Sequence, residues 1–440
     1  MAHVLLFCGH PILEECDIMN PFDLNPTSIE KTFESFCSLY PKPYHPLEVD
    51  PYTKCRIILM NGTEFEAVKF THQMARHVQD QSLRRELAML RRTEQQQQKK
   101  LANLKPIHET VLEHTISYEQ LAVDLTAMLA KRVKTAHAKA ALDLALLEDF
   151  DHLYRYADLM EMDTGEHAER LVGRYTEIMP GRPTISEHRM PLDGIPTPIG
   201  RNAPLFDKLA AHIITAAEQQ TMNYYMNITG FYKNDLGRKL YQEIGMIEEQ
   251  HVTQYEALQD PTLTWLEGLL LHEYTECYLY WSCAQTETDE RIRSIWSRHF
   301  EQEVAHLHKA AQLLEQVEGK HWQQLLPDAA FPEPLRLESN IDYVRTALLS
   351  AQLTYKNTDP VPVQSLQAGD PFFVYQDTVH ARLDHVASHA VIEETINRLG
   401  QDYRFETAPH PVKELMSRGM DNTQIGRDPH IPGYTGVMPS

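Results

Sequence analysis

The chain has 440 residues, 42% of them apolar and 23% charged, proportions ordinary for a folded protein with a sizeable core. Its 41 Lys and Arg against 62 Asp and Glu give a formal charge of −21, which argues against a nucleic-acid partner because phosphate binding rests on basic side chains. No apolar run approaches the roughly 20 residues that span a bilayer, so no membrane partner is expected.

In chain order, residues 1–62 read as an irregular, Pro-rich N-terminal segment with one strand candidate, CRIILMNG. No basic leader or small-residue cleavage site opens it, so a cytoplasmic protein is expected. The six cysteines (8, 16, 37, 55, 277, 283) include no Cys-x-x-Cys pair, which excludes a rubredoxin-type or zinc-ribbon site and favours free thiols. Helical patterns fill 63–172, broken near 78–82, 104–106 and 132–138, and predict a first four-helix bundle. The basic stretch 84–100 within it reads as a solvated helix face. Six prolines between 180 and 204 mark 173–204 as a linker, because proline denies helical hydrogen bonds. Four further helices fit 205–232, 235–257, 262–286 and 289–317, with Asp235 and Asp289 as N-cap candidates; they define a second bundle over 205–318. The remainder, 319–440, reads as an extension with helices near 340–356 and 377–399, a strand candidate FFVY, and an extended tail. The expected fold class is all-α, with two tandem four-helix bundles.

The second bundle carries the chemistry. Glu248-x-x-His251 and Glu303-x-x-His306 each put a carboxylate and an imidazole on one helical face. Glu218 and Glu273 precede these motifs by one shared interval (248 − 218 = 303 − 273). These positions lie roughly 18–21 Å from their hairpin turns at 1.5 Å per residue, so all four carboxylates are expected at one level of the bundle. Glu276, one turn from Glu273, is a ligand in its place or beside it. Four glutamates and two histidines can hold two divalent ions, and hard oxygen donors with imidazole suit Fe or Mn. A third Glu-x-x-His, Glu318 to His321, stands at a helix end without a matched partner and is read as background.

The first bundle repeats the pattern in weakened form. Glu66 precedes Glu94 and a run of glutamines at nearly that interval (94 − 66), and Glu119 precedes Asp149-x-x-His152 at the interval itself (149 − 119). Neutral glutamine amides are poor ligands beside carboxylates, so this bundle is expected to lack a di-metal centre and to serve as a packing partner. A mononuclear site at Glu119, Asp149 and His152 is the alternative.

At these motifs the chain resembles the ferritin-like di-iron carboxylate superfamily, which includes rubrerythrins, bacterioferritins, manganese catalases and di-iron hydroxylases. The resemblance covers 205–318 with all motifs present and 63–172 in degenerate form. It implies Glu218, Glu248, His251, Glu273 or Glu276, Glu303 and His306 as ligands to two Fe, or alternatively two Mn, with Glu248 and Glu303 as bridges. By helical phase Tyr225 and Tyr255 face the metals as candidate catalytic residues, although a core aromatic role is the simpler account of each. Trp296 and His299 are equally ambiguous, Cys277 one turn from Glu273 reads as buried packing rather than a ligand, and His385 with His389 forms a pair lacking a third zinc ligand. The implied activity is an oxidoreductase that uses O2 on a small organic substrate, with electrons from a separate donor protein. The alternatives are a peroxide-consuming enzyme of the rubrerythrin or manganese-catalase kind, and a non-enzymatic storage, buffering or scaffold protein; a homo-oligomer is compatible with all three.

Overall fold

The computed structural model describes residues 19–403 apart from 47, 173–174, 179–187, 349–352, 357, 381–385 and 402. His385 and the C-terminal tail therefore lie outside the described residues. Those described form twelve α-helices and one two-stranded ribbon, in agreement with a mainly helical fold. No helix is long and apolar enough to cross a membrane.

Eight long helices make four antiparallel hairpins. They are α1 (Pro51–His77) with α2 (Gln81–Ala102), α3 (Val111–Arg132) with α4 (Ala136–Thr164), α6 (Leu205–Thr229) with α7 (Asp235–Glu256), and α8 (Trp265–Thr286) with α9 (Glu290–Glu318). A short α5 (Glu169–Val172) follows α4. Local chemistry sets the starts. Thr110 and Glu113 at the head of α3, and Thr264 and Glu267 at the head of α8, form reciprocal capping boxes. Asp289 caps α9 as expected, whereas Asn234 caps α7 and leaves Asp235 in its first turn.

The strand expected at 55–62 is instead part of α1. Pro51 sits in its first turn and Asp50 accepts from the Tyr52 amide. Residues 52–60 are buried without interruption, because α1 packs against α2, α3, α6 and α8. A helix covered on every side shows no apolar stripe, and a short continuous apolar run then looks like a strand.

The hairpins do not pair in sequence order. The first packs on the fourth, α1 against α8 and α2 against α9; the second packs on the third, α3 against α6 and α4 against α7. The expected tandem arrangement is thus replaced by a nested one, with α1 and α6 forming the seam between two four-helix groups. Gly62 marks the closest approach there. A Cβ on it would lie 2.7 Å from the Gln220 Cβ and 3.0 Å from the Ala216 carbonyl oxygen. A buried ion pair, Arg56 to Glu287 at 3.3 Å, ties α1 to the α8–α9 turn, and Trp296 Nε1 donates to the same carboxylate at 3.1 Å.

The flanking segments each cover one group. Residues 21–39 run along α2 and α9, where Gln302 donates to the Thr32 carbonyl at 2.7 Å. Beyond α9, α10 (Ile341–Leu348) lies on α3 and α4, and the ribbon β1 (Leu353–Lys356) with β2 (Asp359–Pro362) follows it. The expected 340–356 helix is therefore shorter, and its end is a strand. The FFVY strand candidate falls inside α11 (Pro371–His380), where Asp370 accepts from the Phe372 amide at 3.0 Å. Next, α12 (Ala387–Leu399) packs on α4 and α7.

Gly62→Val should overpack the seam and cost about 1–3 kcal/mol, read as a lower urea midpoint. Gly200→Ala, with nothing within 4 Å of the added Cβ, should leave that midpoint unchanged.

Two candidate metal centres

The seven predicted ligands fall into two buried clusters, one in each four-helix group. In the α3/α4/α6/α7 group, Asp149, Glu218, Glu248 and His251 bring ligand atoms within 4.8 Å of one another, and Glu119, His152 and Glu248 do the same. His251 Nδ1 lies 3.1 Å from Glu248 Oε2, 3.3 Å from Asp149 Oδ1 and 3.8 Å from Glu218 Oε2. His152 Nδ1 meets the other oxygen of Glu248 at 2.9 Å. Glu248 therefore belongs to both halves of the cluster.

The α1/α2/α8/α9 group holds the second cluster. His306 Nδ1 is 2.8 Å from Glu94 Oε1, 3.0 Å from Glu303 Oε2 and 3.7 Å from Glu273 Oε2. A second set of Glu64, Glu94 and Glu276 shares Glu94 with the first. Both candidates, Glu273 and Glu276, are present, each in its own half. Gln97 donates to Glu303 at the place where a second histidine is missing.

Each helix hairpin contributes its residues at the same register. Glu64, Glu94 and Gln97 recur as Glu119, Asp149 and His152 after one constant offset (119 − 64 = 149 − 94 = 152 − 97). Glu218, Glu248 and His251 recur as Glu273, Glu303 and His306 after the same offset (273 − 218 = 303 − 248 = 306 − 251). The two acids also stand at one common interval in all four hairpins (94 − 64 = 149 − 119 = 248 − 218 = 303 − 273). That interval singles out Glu64 over Glu66, whose shorter spacing to Glu94 breaks the rule. Glu66 instead meets His272 Nδ1 at 3.1 Å, on the far side of a ring whose Nε2 lies 3.8 Å from Glu276.

The first two hairpins are therefore more than a packing partner, because each cluster draws acids from one of them. Glu119, Asp149 and His152 do not form a site alone; Glu248 joins them from α7. The clusters are not equivalent. His251 Nε2 bonds Glu148 at 2.8 Å, which Arg189 grips through both carboxylate oxygens at 2.8 Å. With an ion bound, that contact would keep the proton on Nε2 and leave Nδ1 to face the cluster. Thr93 occupies the register of Glu148 in the first hairpin (148 − 93 = 149 − 94) and bonds Thr32 instead.

Tyr225 donates to Glu119, and Tyr280, its register equivalent (280 − 225 = 273 − 218), donates to Glu64. Tyr255 is buried beside His251 with ring centroids 6.3 Å apart. From Tyr225 a line of rings leads outward through Tyr156, Tyr241 and Tyr232, with centroids 5.1, 4.8 and 5.2 Å apart. Of the other candidates, His299 Nδ1 contacts the Tyr280 hydroxyl at 3.1 Å, and Cys277 is buried outside both ligand sets. His389 is buried in α12, and Glu318 pairs with Lys320 at 2.9 Å rather than joining a cluster.

The donor sets fit metal ions on two grounds. Both oxygens of Glu218 and of Glu276, and Glu119 Oε2, are buried with no hydrogen-bond partner among the described residues. The acids also resist ionising together. Burial, reinforced by neighbouring carboxylates, pushes Glu119, Glu218, Glu273 and Glu276 well above the usual range and Asp149 up to about 8. Burial also opposes charge on Glu248, yet His152 and His251 together outweigh it and hold that carboxyl below the ordinary range. Cations can replace the protons these groups otherwise retain.

A sign follows for the metal-free protein. Asp149 keeps its proton up to about pH 8 when folded but loses it near 3.8 when unfolded, so its contribution to stability is full at low pH and fades as pH rises. Between pH 6 and 8 this one group should remove about 2 kcal/mol, seen as a falling Tm by calorimetry. Saturation with Mn(II) should raise Tm and flatten that decline.

No family model matches this chain, and no curated protein or solved structure was found to match it.

Proposed function

We propose that the chain is a non-haem di-iron oxidoreductase that activates O2, of the ferritin-like carboxylate kind, with its reacting centre in the α3/α4/α6/α7 group. One observation carries this reading. Glu119, Asp149-x-x-His152, Glu218 and Glu248-x-x-His251 reach one buried point from four helices, the ligand set of a carboxylate-bridged pair of ions. Glu248 spans both halves and would bridge, while His152 and His251 would complete one ion each. When bound, two ferrous ions supply one electron apiece to O2. Arg189 and Glu148 fix the His251 ring, and Tyr225 orients Glu119 with a hydrogen bond that leaves Oε2 to face an ion. Apolar helix faces around these groups keep bulk water from the acids. The second cluster, with five carboxylates and one histidine, is a second ion-pair site with harder donors, better suited to Mn or ferrous iron than to thiophilic metals.

A peroxide-consuming enzyme is the second reading, and one observation favours it. Among the described residues, neither the pocket around His212 and Leu271 nor the one around His72 and Arg84 is lined by a cluster residue, which suits a diatomic or peroxide reactant better than a bulky organic one.

Anaerobic Fe(II) loading followed by elemental analysis should give about four ions per chain. Glu248→Ala should remove about two and His306→Ala about two, leaving the other pair in place. Loss of all iron in either single variant contradicts separate centres. Air added to the ferrous protein should be consumed at about one O2 per two ions, and Glu248→Ala should lose its share. Rapid peroxide loss without O2 uptake selects the second reading.

A further inference from the structure

Among the described residues, a basic hollow stands out against the acidic chain. At the turn end of the first hairpin, α1 and α2 line an open groove of about 580 Å³. Ala75 and Ala88 leave it open, and Arg76, Arg84, Arg85 and Arg91 surround it together with His72. Helical register explains the convergence: 84, 88 and 91 share a face of α2, and 72, 75 and 76 share the opposing face of α1. Arg84 and Arg85, in the stretch expected to be a solvated face, are exposed and line this open groove together with Arg91.

These arginines make no ion pair among the described residues. Arg91 donates to the Thr71 carbonyl at 3.0 Å and Arg76 to Gln73 Oε1 at 3.3 Å. Glu86, the acid nearest Arg84 and Arg85 in sequence, is paired with Lys309 at 3.3 Å across the helix. No carboxylate lines the pocket in a chain with 62 of them. Burial lowers the pKa of His72, and the nearby Arg91 and Arg76 add to that shift. Four like charges gathered without counter-ions repel one another, and an anion relieves that repulsion.

We infer that this pocket binds a small molecule bearing a di- or triphosphate group. Guanidinium forks match phosphate oxygens bidentately, and several forks on one hollow suit a ligand with several adjacent phosphates. The volume falls in the range of small-molecule sites. The chain's overall charge disfavours a nucleic acid. The site stands apart from both acid clusters and does not depend on metal.

Titration calorimetry of the full metal-free chain with sodium triphosphate tests this. A saturable one-site isotherm is expected, weakened about a hundredfold in Arg84→Ser/Arg85→Ser, about tenfold for each charged contact. Both residues are exposed, so helicity by circular dichroism should be kept. Arg92→Ser, on an exposed arginine outside the pocket, should bind within twofold of the parent. Adenosine triphosphate binding more tightly than triphosphate assigns a nucleotide, and binding more weakly assigns an inorganic polyphosphate; either supports the anion site. No saturable binding, an unchanged affinity in the double variant, or an equal loss in Arg92→Ser overturns it.

Discussion

Burying nine carboxylates with three histidines inside two helical groups costs free energy that the protein's own groups offset only in part. In the α3/α4/α6/α7 cluster, His152 and His251 compensate Glu248, but Glu218 keeps two oxygens without hydrogen bonds among the described residues. In the other cluster Glu276 is in the same position. Protons or cations must supply the difference. Much of the surrounding structure can be read as the scaffold that keeps these acids together against their repulsion: a close-packed seam, buried pairs such as Arg56 with Glu287, and covering segments at both ends.

The nested order of hairpins gives each cluster two parents. The acids of the first hairpin meet partners that lie beyond the whole of the second and third hairpins in the chain. The two clusters share one register yet differ in four places, one of them Glu94 where the other has Asp149 (149 − 94 = 152 − 97). Gln97 stands for a histidine, Thr93 stands for the carboxylate that steadies His251, and Glu276 adds an acid where Thr221 holds the matching register (276 − 221 = 273 − 218). The aromatic surroundings differ as well: Tyr156 and Tyr241 in one group correspond to Leu101 and Trp296 in the other (156 − 101 = 296 − 241). One centre has the histidines and the ring line; the other has the denser negative charge. That division is the physical basis for assigning them different chemistry.

Helix positions are legible in the sequence because their signals are local. Asp289 caps α9 as expected, and the breaks between hairpins fall where polar and proline signals stand, whereas the α1 start at Asp50 lies in a stretch that the sequence reads as irregular. That Glu218, Glu248, His251, Glu303 and His306 belong to buried acid–histidine clusters is legible from spacing alone. Their grouping is not, since register along a hairpin says nothing about which hairpin packs beside it. Glu64 is masked by the neighbouring Glu66, although the interval common to the other hairpins identifies the right acid. Arg189 and Glu148 carry no motif and become visible only when a loop residue and a helix residue meet. The buried strand-like run in α1 misleads for a related reason: periodicity fails where every face is covered.

Anomalous diffraction from crystals of the Mn(II)-loaded chain tests the central claim most directly. The account predicts two well-separated pairs of peaks, one beside Glu119, His152, Glu218 and Glu248 and the other beside Glu64, Glu94, Glu276 and His306. A single pair held by Glu218, Glu248, Glu273 and Glu303, or no peak at either cluster, contradicts it.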